Sequence, residues 1–173
     1  MNSITSGGVR ILGSLGSADG FGIVRVEDRF ETHIEDLWSA LTQPERLARW
    51  YGEIDGELRV AGHFRARVHA SGWEGTGRVE ECEPPRRFLA LSKAPDEPNE
   101  DWTEVTLTGD GDQTVLVVEQ RGLPLDLLWA YGAGLQIHVE DLAAHIAGRE
   151  RGDSETRFAL LNPAYEDLAA NIS

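Results

Sequence analysis

A long apolar stretch near the C-terminus constrains the fold more than any other part of the chain. It runs from Asp126 to Gly148, and Leu128, Tyr131, Leu135, His138, Leu142 and His145 recur along it at helical spacing. That spacing predicts a helix of about six turns with one face turned toward a partner layer. Pro124 and Asp126 precede it as a loop and an N-cap, and Gly148 follows as a stop signal. Nearly everything upstream reads as short strands, and a sheet must cover its apolar face. The helix is the expected cover, which makes the chain α+β. Gly132 and Gly134 fall inside the helix, where each glycine costs about 1 kcal/mol relative to alanine. Close approach of a strand, a second subunit or a ligand would offset that cost.

Upstream, residues 1–8 are polar and expected to fray. Val9 to Leu12 suits a short strand, and Ser17-Ala18-Asp19-Gly20 has turn chemistry, strongest at Asp-Gly. From Phe21 to Glu31, Val24, Val26 and Phe30 fall on one face and Arg25, Glu27 and Arg29 on the other. This is a half-buried strand, and the two segments together read as a hairpin. Thr32 and Glu35 have the spacing of a capping box. Ile34, Leu37, Trp38 and Leu41 then mark one face of a short helix. Pro44 opens a second short helix, with Leu47 and Trp50 as its apolar pair and Gly52 as its stop.

From Glu57 to Gly122 the period falls to two. Leu58 to Val60 is expected as a short strand, turned at Gly62. Phe64, Ala66 and Val68 alternate with His63, Arg65, Arg67 and His69. Trp73 to Glu83 is a strand in which Gly75 and Gly77 suggest bending. After the break at Pro84-Pro85 come strands from Arg87 to Ser92, Trp102 to Thr108 and Thr114 to Gln120. The run Val115 to Val118 marks the last as an interior strand. Beyond the long helix, Arg149 to Glu155 is a charged linker. Asn162-Pro163 then opens a short helix in which Tyr165, Leu168, Ala169 and Ile172 share a face.

Composition removes several functional classes. Thirty acidic residues against sixteen basic ones give a formal charge of -14. That field repels nucleic-acid phosphates and anionic lipid heads, so neither nucleic acid nor membrane is expected as a partner. No apolar run is long enough to span a bilayer, and the N-terminus lacks a signal-peptide pattern. One cysteine, Cys82, rules out an intrachain disulfide, and a reducing cytoplasm fits.

Three motifs carry a family resemblance. Leu37 to Trp50 places Trp38, then Thr42-Gln43-Pro44-Glu45, then Trp50. Glu83-Pro84-Pro85 follows in a strand connection, and Leu135 to Leu142 contains His138-Val139 ahead of Leu142. The set resembles the START-like helix-grip (SRPBCC) superfamily, in the bacterial branch of homologues of the activator of the heat-shock-protein-90 ATPase. The resemblance covers about residues 21–148. It differs at Leu135, which stands where relatives carry tryptophan. It implies a curved antiparallel sheet wrapped around the long C-terminal helix, with two short helices after the first core strand and a cavity between sheet and helix. One START-like domain over 1–173 is then expected, with 1–20 as an N-terminal arm or hairpin and 149–173 as a tail bearing a short helix.

The site candidates follow from large rings and a few polar tips, which suit an apolar pocket with sparse orienting groups. They are Trp38, Trp50, Phe64, Trp73, Trp102, Tyr131, Leu135, His138 and Leu142. No metal and no cofactor is expected: His138 and His145 stand about 10 Å apart on a helix, and no cysteine pair or His-x-x-x-His occurs. Nucleophile and phosphate-loop motifs are absent, so no catalytic residue is assigned. The leading expectation is a small binding protein that holds an apolar or amphipathic molecule, with His138 or Tyr131 fixing its orientation. The alternative of another class is a protein-interaction module linked to a chaperone or another partner. A cavity enzyme of cyclase or hydrolase type ranks last, with His138, Glu119, Glu104 and Tyr131 as its acid or base candidates. A homodimer through a sheet edge is compatible with the sequence.

Overall fold

A computed structural model describes residues 4–6 and 9–172. Its centre is an eight-stranded antiparallel sheet in the order β3-β4-β10-β9-β8-β7-β6-β5. These strands are β3 (Gly13–Ala18), β4 (Phe21–Phe30), β5 (Gly52–Gly56), β6 (His63–Val68), β7 (Glu74–Glu83), β8 (Arg87–Lys93), β9 (Asp101–Asp110) and β10 (Gln113–Leu123). A separate pair, β1 (Ile4–Ser6) with β2 (Val9–Ile11), precedes them. The expected fraying over residues 1–8 lies outside the described residues at 1–3, 7 and 8. The helices are α1 (Ile34–Thr42), α2 (Pro44–Trp50), α3 (Leu128–Ile146) and α4 (Ser154–Ala169). The sheet grips α3, and α1 and α2 follow β4, which is the helix-grip arrangement.

Several local expectations move. The hairpin arm that pairs with β4 is β3, not Val9 to Leu12. Asp19 and Gly20 both take positive φ, 55° and 84°, and this two-residue turn sets Ala18 opposite Phe21. At α1 the N-cap position is His33, without a side-chain cap. The Thr32 hydroxyl instead donates to Asp36 Oδ2 at 2.6 Å. Gly52 ends α2 but also opens β5, and Leu58 to Val60 forms no strand beyond a single bridge from Val60 to Val79. Ala61 has φ 65° and the Gly62 amide donates to the Arg59 carbonyl, so this segment curls into a loop. Asp126 lies in a 3-10 turn (Leu125–Leu127) and caps nothing, and α3 begins at Leu128. Gly148 ends α3 as expected, with φ 76° and its amide on the His145 carbonyl.

The tail differs most. Its helix starts at Ser154, where the Asp153 carboxylate accepts from the Thr156 amide at 3.1 Å. Pro163 falls inside this helix rather than opening it. The helix then packs along α3. One apolar cluster joins the sheet, α1, α2 and one face of α3, through Val24, Val26, Leu37, Trp50, Leu116, Leu135 and Leu142. A second joins the other face of α3 to β2 and α4, through Ile11, Ala133, Ile137, Leu161 and Tyr165. Helix α3 is therefore buried on two sides, which explains an apolar character wider than a single stripe.

The glycines of α3 report that second interface. A Cβ on Gly132 would come within 2.6 Å of the Tyr165 ring. Gly134 faces Phe158 at an ordinary 3.8 Å. Gly75 and Gly77 likewise make room for rings, those of Trp73 and Phe64, and so serve packing in β7. Strand β7 has its register shift between Val79 and Glu81.

Candidate functional site

A cavity of about 550 Å³ lies between the concave face of the sheet and α3. Strand alternation builds one wall: Phe64, Ala66 and Val68 of β6 point inward, as do Val105 of β9 and Val118 of β10. Helix α3 builds the other with Tyr131, Leu135, His138 and Leu142, three or four residues apart. Trp50 and Tyr51 close one side, and Trp73 stands at another. Rings are held in place by their polar tips. Trp50 Nε1 donates to the Ala40 carbonyl at 2.9 Å, and Trp73 Nε1 to Glu97 Oε1 at 2.9 Å.

Seven of the nine expected site residues border this space: Trp50, Phe64, Trp73, Tyr131, Leu135, His138 and Leu142. Trp38 and Trp102 do not. Leu37, Ala40 and Leu41 take the buried face of α1, and Trp38 meets Phe88 edge-on at 5.8 Å from outside the cavity wall. Trp102 is 40 % exposed on the far side of β9, with the Arg121 guanidinium 6.0 Å from its ring centre. The acid or base candidates Glu104 and Glu119 also sit outside the cavity. Glu104 pairs with Arg87 and Arg121, and Glu119 with Arg121.

Polar side chains make up the smaller part of the lining, Thr42, Ser71, Ser92, Thr103 and Gln120 among them. His138 packs against the Tyr51 ring, centroids 5.0 Å apart, and its Nδ1 is buried without a hydrogen-bond partner. Burial, and then the charge of Arg151, hold its pKa down at about 4, so the ring is neutral at pH 7. Burial also raises the Tyr51 hydroxyl above its usual range. His145 does not reach the cavity; its Nε2 accepts from Arg46 Nε at 3.1 Å, which ties α3 to α2.

Asp101 is the residue the sequence reading missed. It opens β9, is 8 % exposed, lines the cavity, and makes no side-chain hydrogen bond or ion pair among the described residues. Burial, with the nearby Glu97 charge adding to it, pushes its pKa up to about 7. Tyr131 is pushed up to about 12, by burial first and then by the charges of Asp101 and Glu97. The signal was strand parity: Val105 and Leu107 face inward, so Asp101 and Thr103 share their face and Trp102 cannot. Among the described residues the lining carries one carboxyl and no lysine or arginine. No group of three His, Cys, Asp or Glu among them could hold a metal ion, and no helix is long and apolar enough to cross a membrane.

Known proteins can be set beside this geometry. A family model described as Activator of Hsp90 ATPase homolog 1-like protein matches residues 31–147. Among solved structures, CalU16 from Micromonospora echinospora is 25% identical with a TM-score of 0.77, covering 91% of this chain and 96% of its own. DynU16, a protein of the dynemicin biosynthetic locus, is 27% identical with a TM-score of 0.68, covering 79% of this chain and 51% of its own. Protein MLL2253 from Mesorhizobium loti is 28% identical with a TM-score of 0.63, covering 72% of this chain and 96% of its own. No curated protein matches the sequence.

Proposed function

The chain belongs to the family of Activator of Hsp90 ATPase homolog 1-like proteins, and from that premise we propose that it binds an apolar or amphipathic small molecule between the sheet and α3. The observation that carries this reading is the cavity itself. Its volume of about 550 Å³ falls in the range of small-molecule sites. Its wall is largely aliphatic and aromatic, and burying ligand surface there contributes about 25 cal/mol per Å². Leu135 borders the cavity, so a larger side chain there would reduce it. His138, neutral and on the cavity lining, supplies one orienting group at the middle of α3. The description of DynU16 ties that protein to the biosynthetic locus of a small molecule, and this supports the same class of role here.

The test is binding of a neutral apolar dye, 1-N-phenylnaphthylamine, followed by its emission, together with mass spectrometry of protein extracted without detergent. Saturable enhancement displaced by an apolar competitor, or a copurified small molecule, is the expected result. No enhancement up to the dye's solubility, with no copurified mass, would overturn the reading.

A further inference from the structure

We propose that the cavity is selective for apolar amines, with Asp101 taking the ammonium group and the wall formed by Leu135, His138 and Leu142 taking the apolar body. This rests on the binding reading above and narrows it to one ligand class. A buried carboxyl is ordinarily paired, because an unpaired charge away from water is costly. Asp101 is 8 % exposed and has no side-chain partner among the described residues, yet it opens onto a space large enough for a ligand. A partner that arrives with the ligand accounts for both facts.

The surroundings fix the sign of that partner. From the loop before β9, Glu97 places a second carboxylate close by, held by Trp73 Nε1. From α3, Tyr131 adds a hydroxyl that stays protonated. From β8, Ser92 lies opposite Asp101 in register, and from β10, Gln120 lies on the same lining. The cation on β8, Lys93, directs its ammonium to the Glu97 carbonyl at 2.7 Å and makes no pair with Asp101. Among the described residues no cation pairs with the Asp101 or the Glu97 carboxyl, Lys93 resting on the Glu97 backbone instead, so the two carboxyls disfavour an anionic ligand and favour a cation. The Trp73 and Tyr131 rings on the same lining offer faces on which an ammonium can rest.

Binding an ammonium requires Asp101 in its ionised form. Its pKa of about 7 in the empty cavity means that ligand entry at neutral pH releases a proton from it. Aliphatic amines stay protonated through this range, so affinity should rise as the pH passes upward through 7.

Three probes of one chain length separate the ideas: decylamine, decan-1-ol and decanoic acid, titrated by calorimetry at pH 6 and pH 8 below their aggregation limits. At pH 8 the amine should bind about tenfold or more tighter than the alcohol, and the acid most weakly. The amine's advantage should shrink at pH 6. In Asp101→Asn, with folding checked by circular dichroism, the amine-to-alcohol ratio should fall to about twofold or less. Proton release should appear with decylamine alone, as a heat that depends on buffer ionisation enthalpy. The proton readout needs no variant. Alcohol binding without amine preference would overturn this inference and leave the cavity reading standing. An amine preference that survives Asp101→Asn, or one without proton release, would overturn the assignment to Asp101. Failure of all three probes would overturn both.

Discussion

At the scale of single residues, two ionisable groups on one cavity pull stability in opposite directions with pH. His138 has a folded pKa of about 4 against an ordinary 6.5. As the pH falls through 6.5 the unfolded chain takes a proton that the folded chain refuses, so stability is lost between 6.5 and 4. Asp101 runs the other way, with a folded value of about 7 against 3.8. The folded chain takes its proton first, and stability is regained as the pH falls from 7 toward 4. Asp101→Asn should therefore stabilise the protein by roughly 1–3 kcal/mol at pH 8 and by less as the pH approaches 4. His138→Phe should help most at the acid end. Urea midpoints at pH 4.5 and pH 8 for the two variants check this; a gain for Asp101→Asn that does not change with pH would count against the buried carboxyl. Its position was legible from strand parity, since the inward Val105 and Leu107 place Asp101 inward too. What misdirects the reading of this strand is the ring of Trp102, an apolar side chain that β9 turns outward onto Arg121.

At the scale of elements, α4 is fastened to α3 through a hydrogen-bonded seam. The Tyr165 hydroxyl accepts from the Gly13 amide at 3.0 Å and donates to Gln136 Oε1 at 2.5 Å. Gln136 Oε1 also accepts from the Leu12 amide, and its Nε2 donates to the Arg10 carbonyl at 2.7 Å. Arg157 grips Glu140 through two bonds, 3.0 and 2.8 Å. Tyr165→Phe leaves the Gly13 amide without its partner and should cost about 1–2 kcal/mol. Hydrogen exchange should show the Gly13 amide losing protection, while amides in the middle of β10 keep theirs. Equal loss at both places would mean the seam is not local. Gly132→Ala should be worse than its helix propensity implies, because the added methyl meets the Tyr165 ring. Here the sequence was half legible. The glycines of α3 announced a close neighbour, and Tyr165 was expected to dock. Pro163 looks like a helix beginning and so shortens the expected α4; the cap at Asp153, inside the charged run and ten residues before Pro163, is the signal that outweighs it.

At the scale of the whole molecule, one long helix has two jobs, and its two faces divide them. The face toward α4 packs Gly132, Ala133 and Ile137 against Leu161 and Tyr165 and adds the hydrogen bonds of Gln136 and Glu140, and it fixes where α3 lies. The face toward the sheet is left with open space. The strands, the turns and the two short helices follow from alternation and turn residues, all local in sequence, while the antiparallel grip on α3 is what the resemblance at Leu37 to Trp50, Glu83 to Pro85 and Leu135 to Leu142 implies. The cavity's polar composition follows from neither, because it depends on which strand residues converge from β6 to β10 once the sheet curves. Leu135 lines the cavity at mid-helix and is 6 % exposed. Leu135→Trp should fill part of the space with a ring, removing volume from the side that would hold a ligand's apolar body. Dye binding should weaken by about tenfold or more, while stability changes by under about 1.5 kcal/mol, because the ring enters space that already exists. Titration with 1-N-phenylnaphthylamine and a urea melt on the same variant measure both. Undiminished dye binding would mean that the ligand space does not pass Leu135. A large loss of stability would mean that this part of the cavity is too narrow to admit a ring.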